Sequence, residues 1–223
     1  MNSQVNQLQG AKVVITGATG FIGSHLARTL VASSARVWGL SRNESDFTGV
    51  QNLICDITNR DRLNEIIAEV RPSHIFHLAA NKARSAKTSD FRQCIDENLI
   101  GTLNLLEACE AISCKPRFVS LGTCEEYGGA IPPYFEAIRE VPVSAYSCSK
   151  VAMTQFLLAY NRINGLPVVI LRPSLVYGPG QGDEMFLPAL IRSLLSGQRF
   201  AMSLGEQTRD YIYIDDVVKA LLL

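Results

Sequence analysis

Near its amino end the chain runs Lys12-Val13-Val14-Ile15-Thr16, a short β-branched apolar run, straight into Gly17-Ala18-Thr19-Gly20-Phe21-Ile22-Gly23. Ile22, Leu26 and Leu30 then follow at helical spacing. Three glycines alone constrain little, but their place between a first strand and a first helix constrains this chain more than any other feature. A tight turn at that point requires glycine, and so does close approach of the backbone to a pyrophosphate seated at the helix N-terminus. The sequence therefore predicts a dinucleotide-binding turn built from Gly17, Thr19, Gly20, Phe21, Ile22 and Gly23; the alternative is a turn that serves packing only.

The remaining pattern agrees with that start. Apolar runs at Arg36–Leu40, Asn52–Cys55, His74–Leu78, Phe118–Leu121 and Val168–Leu171 alternate with segments of helical period, as in βαβ units over a parallel sheet. Thr58–Val70 places Leu63, Ile66, Ile67 and Val70 on one helical face, with Thr58 and Asp61 spaced like a capping box and Pro72 closing the segment. Further helices are expected from about Ile95 to Ala111 and from Ala145 to Asn164, the latter closed by Gly165. After Arg172 the texture becomes irregular: a Pro- and Gly-rich loop, a helical stretch Leu187–Ser196, and a strand Arg209–Ile214 running into Asp215 as an N-cap. The expected fold is α/β, a Rossmann-type doubly wound parallel sheet over residues 1–172, followed by a small, incomplete substrate-binding part over residues 173–223.

Composition narrows the function classes. Lys plus Arg equals Asp plus Glu at 21 each, so no net field draws the chain to nucleic acid or to an anionic membrane surface. No apolar run approaches the roughly 20 residues that span a bilayer, and Met1–Gly10 lacks a signal-type apolar core. A cytoplasmic protein is expected. The six cysteines, Cys55, Cys94, Cys109, Cys114, Cys124 and Cys148, show neither CxxC nor zinc spacing and read as reduced thiols, with no metal site.

The end of the second strand normally carries the group that reads the adenosine ribose. Here it is Gly39-Leu40-Ser41-Arg42, without a carboxylate at the strand end, so Arg42 suggests a 2′-phosphate and a preference for NADP over NAD. Glu44 and Asp46 lie close by, and the alternative for Arg42 is a solvated loop charge. Tyr146 and Lys150 stand four apart in a helical segment and project from one face. An ammonium beside a phenol favours the phenolate, which would make Tyr146 a usable base near neutral pH.

Taken together, Gly17–Gly23, His77-Leu78-Ala79-Ala80, Glu97–Thr102, Tyr146-Ser147-Cys148-Ser149-Lys150, Leu171-Arg172-Pro173 with Tyr177–Gly180, and Arg209–Asp216 closely resemble the extended short-chain dehydrogenase/reductase family. The resemblance is to its nucleotide-sugar epimerase and dehydratase branch and covers nearly the whole chain. It implies Tyr146 as catalytic base, Lys150 as the residue that binds the nicotinamide ribose and tunes the tyrosine, and Thr123 as the hydroxyl partner aimed at the sugar oxygen. Asp56 and Ile57 resemble the adenine-contacting pair, Leu78, Ala79 and Ala80 would line the cofactor, and Pro173 joins the cofactor contacts. Arg209 resembles a ligand for the substrate diphosphate, the alternative being an ion pair with Asp210 or Asp215. Asn98 matches a position with a structural role.

In this branch the first step oxidises the sugar at C4 to a transient 4-keto form. Thr123-Cys124-Glu125 resembles the Thr-x-Glu of dehydratases, which makes Glu125 a candidate C5 base and tilts the reading toward 4,6-dehydration; Cys124 stands where some dehydratases carry an acid. Epimerisation, a keto-sugar reductase and a catalytically silent NADP-binding protein remain the alternatives. A nucleotide-diphosphate sugar is the implied substrate and a homodimer through the helices around Ile95–Ala111 and Ala145–Asn164 the implied assembly. The family continues well past the Arg-Asp-Tyr motif, so a chain ending at Leu221-Leu222-Leu223 reads as truncated.

Overall fold

A computed structural model describes residues 8–112 and 115–223; the amino-terminal segment expected to lack a signal, up to residue 7, and Cys114 lie outside the described residues. The apolar runs form β1 (Lys12–Thr16), β2 (Arg36–Ser41), β3 (Val50–Ile54), β4 (His74–His77), β5 (Arg117–Leu121) and β6 (Val168–Leu171). Every pairing among them is parallel, in the order β3-β2-β1-β4-β5-β6. The chain steps outward from β1 to β3 and then returns to the other side of β1. That reversal opens a crevice beyond the carboxyl ends of β1 and β4, where such sheets bind ligands.

Helices cover both faces because the central strands are buried on both sides. On one face α2 (Arg60–Val70), α4 (Gly101–Glu110) and α5 (Ala145–Asn164) set Leu63, Ile66, Leu105, Met153 and Leu157 against the sheet. On the other, α1 (Phe21–Ala32) buries Leu26 and Leu30 beside Val217 and Leu221 of α7 (Ile214–Leu221). Between α5 and α7 in the chain, β7 (Leu175–Tyr177) pairs in parallel with β8 (Tyr211–Tyr213), and α6 (Phe186–Leu195) buries none of its side chains fully. Among the described residues no helix is long and apolar enough to cross a membrane.

Several local expectations need correction. The cap of α2 is Asn59, whose side chain accepts from Arg62 N, while Thr58 turns back to bond Asp56 Oδ1 at 2.8 Å. The helix expected from Ile95 is longer and irregular: α3 (Thr88–Cys94) runs through a π-helical turn, Ile95–Ile100, into α4. One extra residue in a turn does not disturb an apolar pattern enough to be read from sequence. The N-cap of α7 is Tyr213 rather than Asp215, because fully buried Ile214 already belongs to the helix; Asp215 and Asp216 fall in its first turn, where the helix dipole favours them.

Candidate active site

The turn after β1 is shaped by backbone contact. Gly17 takes a left-handed φ of 72°, and a Cβ there would stand 2.9 Å from Ala79 N. A Cβ on Gly23 would lie 2.1 Å from Gly17 O, so only glycine lets α1 start against the turn. The turn and the ends of β2, β3 and β4 enclose a cavity of about 500 Å³. Gly17, Thr19, Gly20, Arg42, Asp56, Ile57, Leu78, Ala79 and Ala80 all line it. Its bare glycine floor at a helix N-terminus suits a dinucleotide's pyrophosphate. Phe21, Ile22 and Gly23 stand behind this wall: the first two pack against the core and Gly23 is buried in α1. Arg42 leans across the opening toward Glu97, 3.5 Å away.

A buried relay fixes the β4 side of the cavity. Thr16 Oγ1 accepts from Leu78 N and Ala79 N, which leaves its proton for His77 Nδ1 at 2.8 Å. His77 Nε2 then donates to Thr102 Oγ1 at 2.9 Å, and Thr102 donates to Asn98 O in the π-helical turn. Burial, and secondarily the charge of Lys150, pushes His77 down to about 3, so the ring stays neutral as the relay requires. Asn98 in turn accepts from Asn81 N at 2.7 Å and donates to Ser149 Oγ at 2.8 Å, which joins the cavity wall to α5.

On α5, capped by Ser144 and ended by left-handed Gly165, Tyr146 and Lys150 project inward and are 7% and 1% exposed. Lys150 Nζ donates to Leu121 O at 2.8 Å, and burial holds its pKa down at about 8 against the opposing pull of Glu126. The Tyr146 phenol is pushed up to about 12, chiefly by burial and then by the charge of Glu125. Arg84 and a hydrogen bond with Thr123 pull it the other way. The Arg84 guanidinium lies over the ring, 4.8 Å from its centroid.

Thr123 opens a short 3₁₀ turn, Cys124–Glu126, after β5. Its position is set by Glu126, which is fully buried: Oε1 accepts from Thr123 N at 2.9 Å, and Oε2 accepts from Thr154 Oγ1 of α5 at 2.8 Å and from Arg172 Nε at 2.9 Å. Burial raises the Glu126 pKa and Arg172 opposes that rise. Beyond the turn a second, larger cleft of about 1280 Å³ is lined by Arg84, Glu125, Tyr127, Arg172, Pro173 and Arg209, among others. Pro173 therefore faces this cleft rather than the cavity by the glycine turn. Glu125 is held by Arg84, Nη2 to Oε1 at 2.6 Å and Nε to Oε2 at 3.2 Å. Arg209 is exposed and donates to Thr208 O; among the described residues it pairs with neither Asp210 nor Asp215.

Residues 13–223 match the model of the NAD dependent epimerase/dehydratase family. The chain belongs to this family. UDP-glucuronate 4-epimerase 1 of Arabidopsis thaliana is 30% identical, over 99% of this chain and 56% of its own length. The dTDP-D-glucose 4,6-dehydratase of Dictyostelium discoideum is also 30% identical, over 94% of this chain and 54% of its own. This chain thus spans little more than half the length of these relatives. A solved UDP-glucuronic acid 4-epimerase from Bacillus cereus, in complex with UDP-glucuronic acid and NAD, superposes with a TM-score of 0.81 at 30% identity, covering 93% of this chain and 71% of that one.

Within this member of the family, the sequence alone marks Glu125 and passes over Glu126 and Arg84. Glu126 was findable, because Thr123-x-x-Glu126 is a capping box, and both halves of the box form. Arg84 carried no local signal, since its partner lies 41 positions away. Lys150 gives a pH test of the burial described above. Its native pKa near 8 lies below the ordinary 10.5, so the native state sheds the proton first and stability rises with pH through that window, falling again toward neutrality. By urea denaturation, the unfolding free energy of the wild type relative to Lys150→Met should grow by about 2 kcal/mol between roughly pH 7 and 10. Parallel pH profiles for the two proteins would contradict the buried ammonium.

Proposed function

We propose that this chain holds the dinucleotide and supplies the proton-transfer groups of a nucleotide-sugar 4-epimerase. The observation that carries this reading is the buried set of Thr123, Tyr146 and Lys150, whose helix α5 is tied through Ser149, Asn98 and Asn81 to the wall of a glycine-floored cavity at the carboxyl ends of β1 and β4. Gly17, Thr19 and Gly20 would hold the pyrophosphate, Asp56 and Ile57 the adenine, and Leu78, Ala79 and Ala80 the dinucleotide's inner edge, with Lys150 on the nicotinamide ribose. When bound, NAD supplies the acceptor and then the donor of the hydride at the sugar carbon. Tyr146, as the phenolate, would take the proton of the sugar hydroxyl and give it back from the phenol, and Thr123 would orient that hydroxyl. Arg209, a guanidinium on the lining of the second cleft with no carboxylate partner among the described residues, suits the substrate diphosphate.

Two features favour epimerisation over 4,6-dehydration. Dehydration needs a free C5 base and an acid for the departing water. Glu125 is tied to Arg84 through both oxygens, and burial raises the Cys124 thiol, which makes it a weak acid. The Thr-x-Glu pattern that favoured dehydration thus has its carboxylate engaged elsewhere. For the dinucleotide, Arg42 is drawn to Glu97, and the NAD-dependent family and an NAD-holding neighbour support NAD; the preference for NADP expected from Arg42 finds no support in them.

Incubation with a panel of nucleoside-diphosphate sugars and NAD, or NADH in a parallel arm, followed by mass spectrometry, NMR and cofactor absorbance, tests this directly. The expected outcome is a C4 epimer of unchanged mass with no net change in NAD, slowed about 10²–10⁴-fold in Tyr146→Phe. A product lighter by one water would assign dehydration, net consumption of reduced cofactor a reductase, and binding without product a silent holder. The assembly proposed is a dimer of this chain through exposed Phe91, Ile95 and Ile100 and, on α5, Phe156 and Ile163. Sedimentation velocity should then give a dimer that Phe156→Glu weakens; a wild-type monomer at micromolar concentration would remove that part of the reading.

A further inference from the structure

The loop that leaves β4 carries Lys82 into the wall of the first cavity and Arg84 into that of the second. Three hydrogen bonds fix the plane of the Arg84 guanidinium: two to the oxygens of Glu125 and a third from Nη1 to Lys82 O at 3.1 Å. So held, it covers the face of the Tyr146 ring. The side chains of Arg84 and Glu125 are 49% and 34% exposed, so the core does not need this pair for packing. A cation over a phenol ring is attracted to the ring's face and favours its ionised form, whereas a carboxylate at the same place favours the neutral one.

We propose that Arg84 is a further functional residue of this site, a cation clamped on the Tyr146 ring by Glu125, so that the two together set how readily the phenol gives up its proton. The inference rests on the reading of Tyr146 as the proton-transfer group. The ionisable groups around that phenol come from four directions: Arg84 from the β4 loop, Glu125 and Glu126 from the 3₁₀ turn, Cys94 from α3, and Lys150 one turn along α5. Arg84 acts to lower the phenol's pKa and both glutamates act to raise it. Glu126 is committed to Arg172 and Thr154, and Lys150 to Leu121, which leaves the exposed Arg84–Glu125 pair as the adjustable element. In this account Glu125 acts through charge, not as a base on carbon.

A fluorinated tyrosine at position 146, with an acidified phenol that titrates where the fold survives, makes the effect visible by fluorine NMR without any turnover. Arg84→Gln should move its midpoint up and Glu125→Gln should move it down, each by about half a pH unit or more, with the double variant returning close to the parent. A pair that merely staples the loop would shift stability and leave both midpoints alone. Unmoved midpoints, or two that move in the same sense, would overturn the proposal. The acid limb of kcat/KM in the natural protein should follow the same two directions. Opposed NMR shifts beside an unmoved acid limb would sink the premise that Tyr146 transfers the proton, and the proposal with it.

Discussion

The site depends on one buried carboxylate. Glu126 reaches the turn after β5, the middle of α5 and the end of β6 at once, through Thr123 N, Thr154 Oγ1 and Arg172 Nε. Burying a charge pair contributes little net stability against hydrophobic side chains of the same size, but removing one partner strands the other at a cost of about 3–5 kcal/mol. Its value here lies in geometry. Three elements that the topology only brings near one another are fastened at defined distances, so that Thr123 and Tyr146 meet at one place. Gly122 belongs to the same arrangement, since a Cβ there would stand 2.4 Å from Glu126 Oε1.

The cofactor side of the site is fixed by the corresponding neutral network. Thr16, His77, Thr102 and Asn98 run from β1 and β4 into the π-helical turn, and Asn98 passes the constraint to Asn81 and to Ser149 on α5. Each hydroxyl proton has one direction in which all the bonds can be made, which requires a neutral His77. The glycine turn and the helix that carries Tyr146 are therefore linked through side chains as well as through the sheet. The two networks leave Arg84 and Glu125 outside them, on the wall of the second cleft.

Much of this was legible in the chain, and the limits have physical causes. The first strand and its glycine turn, the parallel sheet, and Tyr146 and Lys150 on one helix face rest on local periodicity and steric need, which a sequence displays. The direction of the Tyr146 shift in the free chain is not readable from its spacing to Lys150. Four positions along a helix place two side chains on one face, but burial decides the sign of the shift and the Leu121 carbonyl claims the ammonium. Glu125 and Glu126 are adjacent carboxylates, and only the tertiary fold sends one to the core and the other to Arg84. The π-helical turn and the pairing of Arg42 with Glu97 were likewise outside what spacing can show.

The proposed epimerase reading asks one sugar hydroxyl to meet two side chains of this chain. The most direct check is a crystal structure of the protein with a dinucleotide and a nucleotide sugar bound. Thr123 Oγ1 and Tyr146 Oη should both lie within hydrogen-bond reach of one sugar hydroxyl, with Glu126 still bonded to Thr123 N. A sugar bound with that hydroxyl turned away from both side chains would contradict the account.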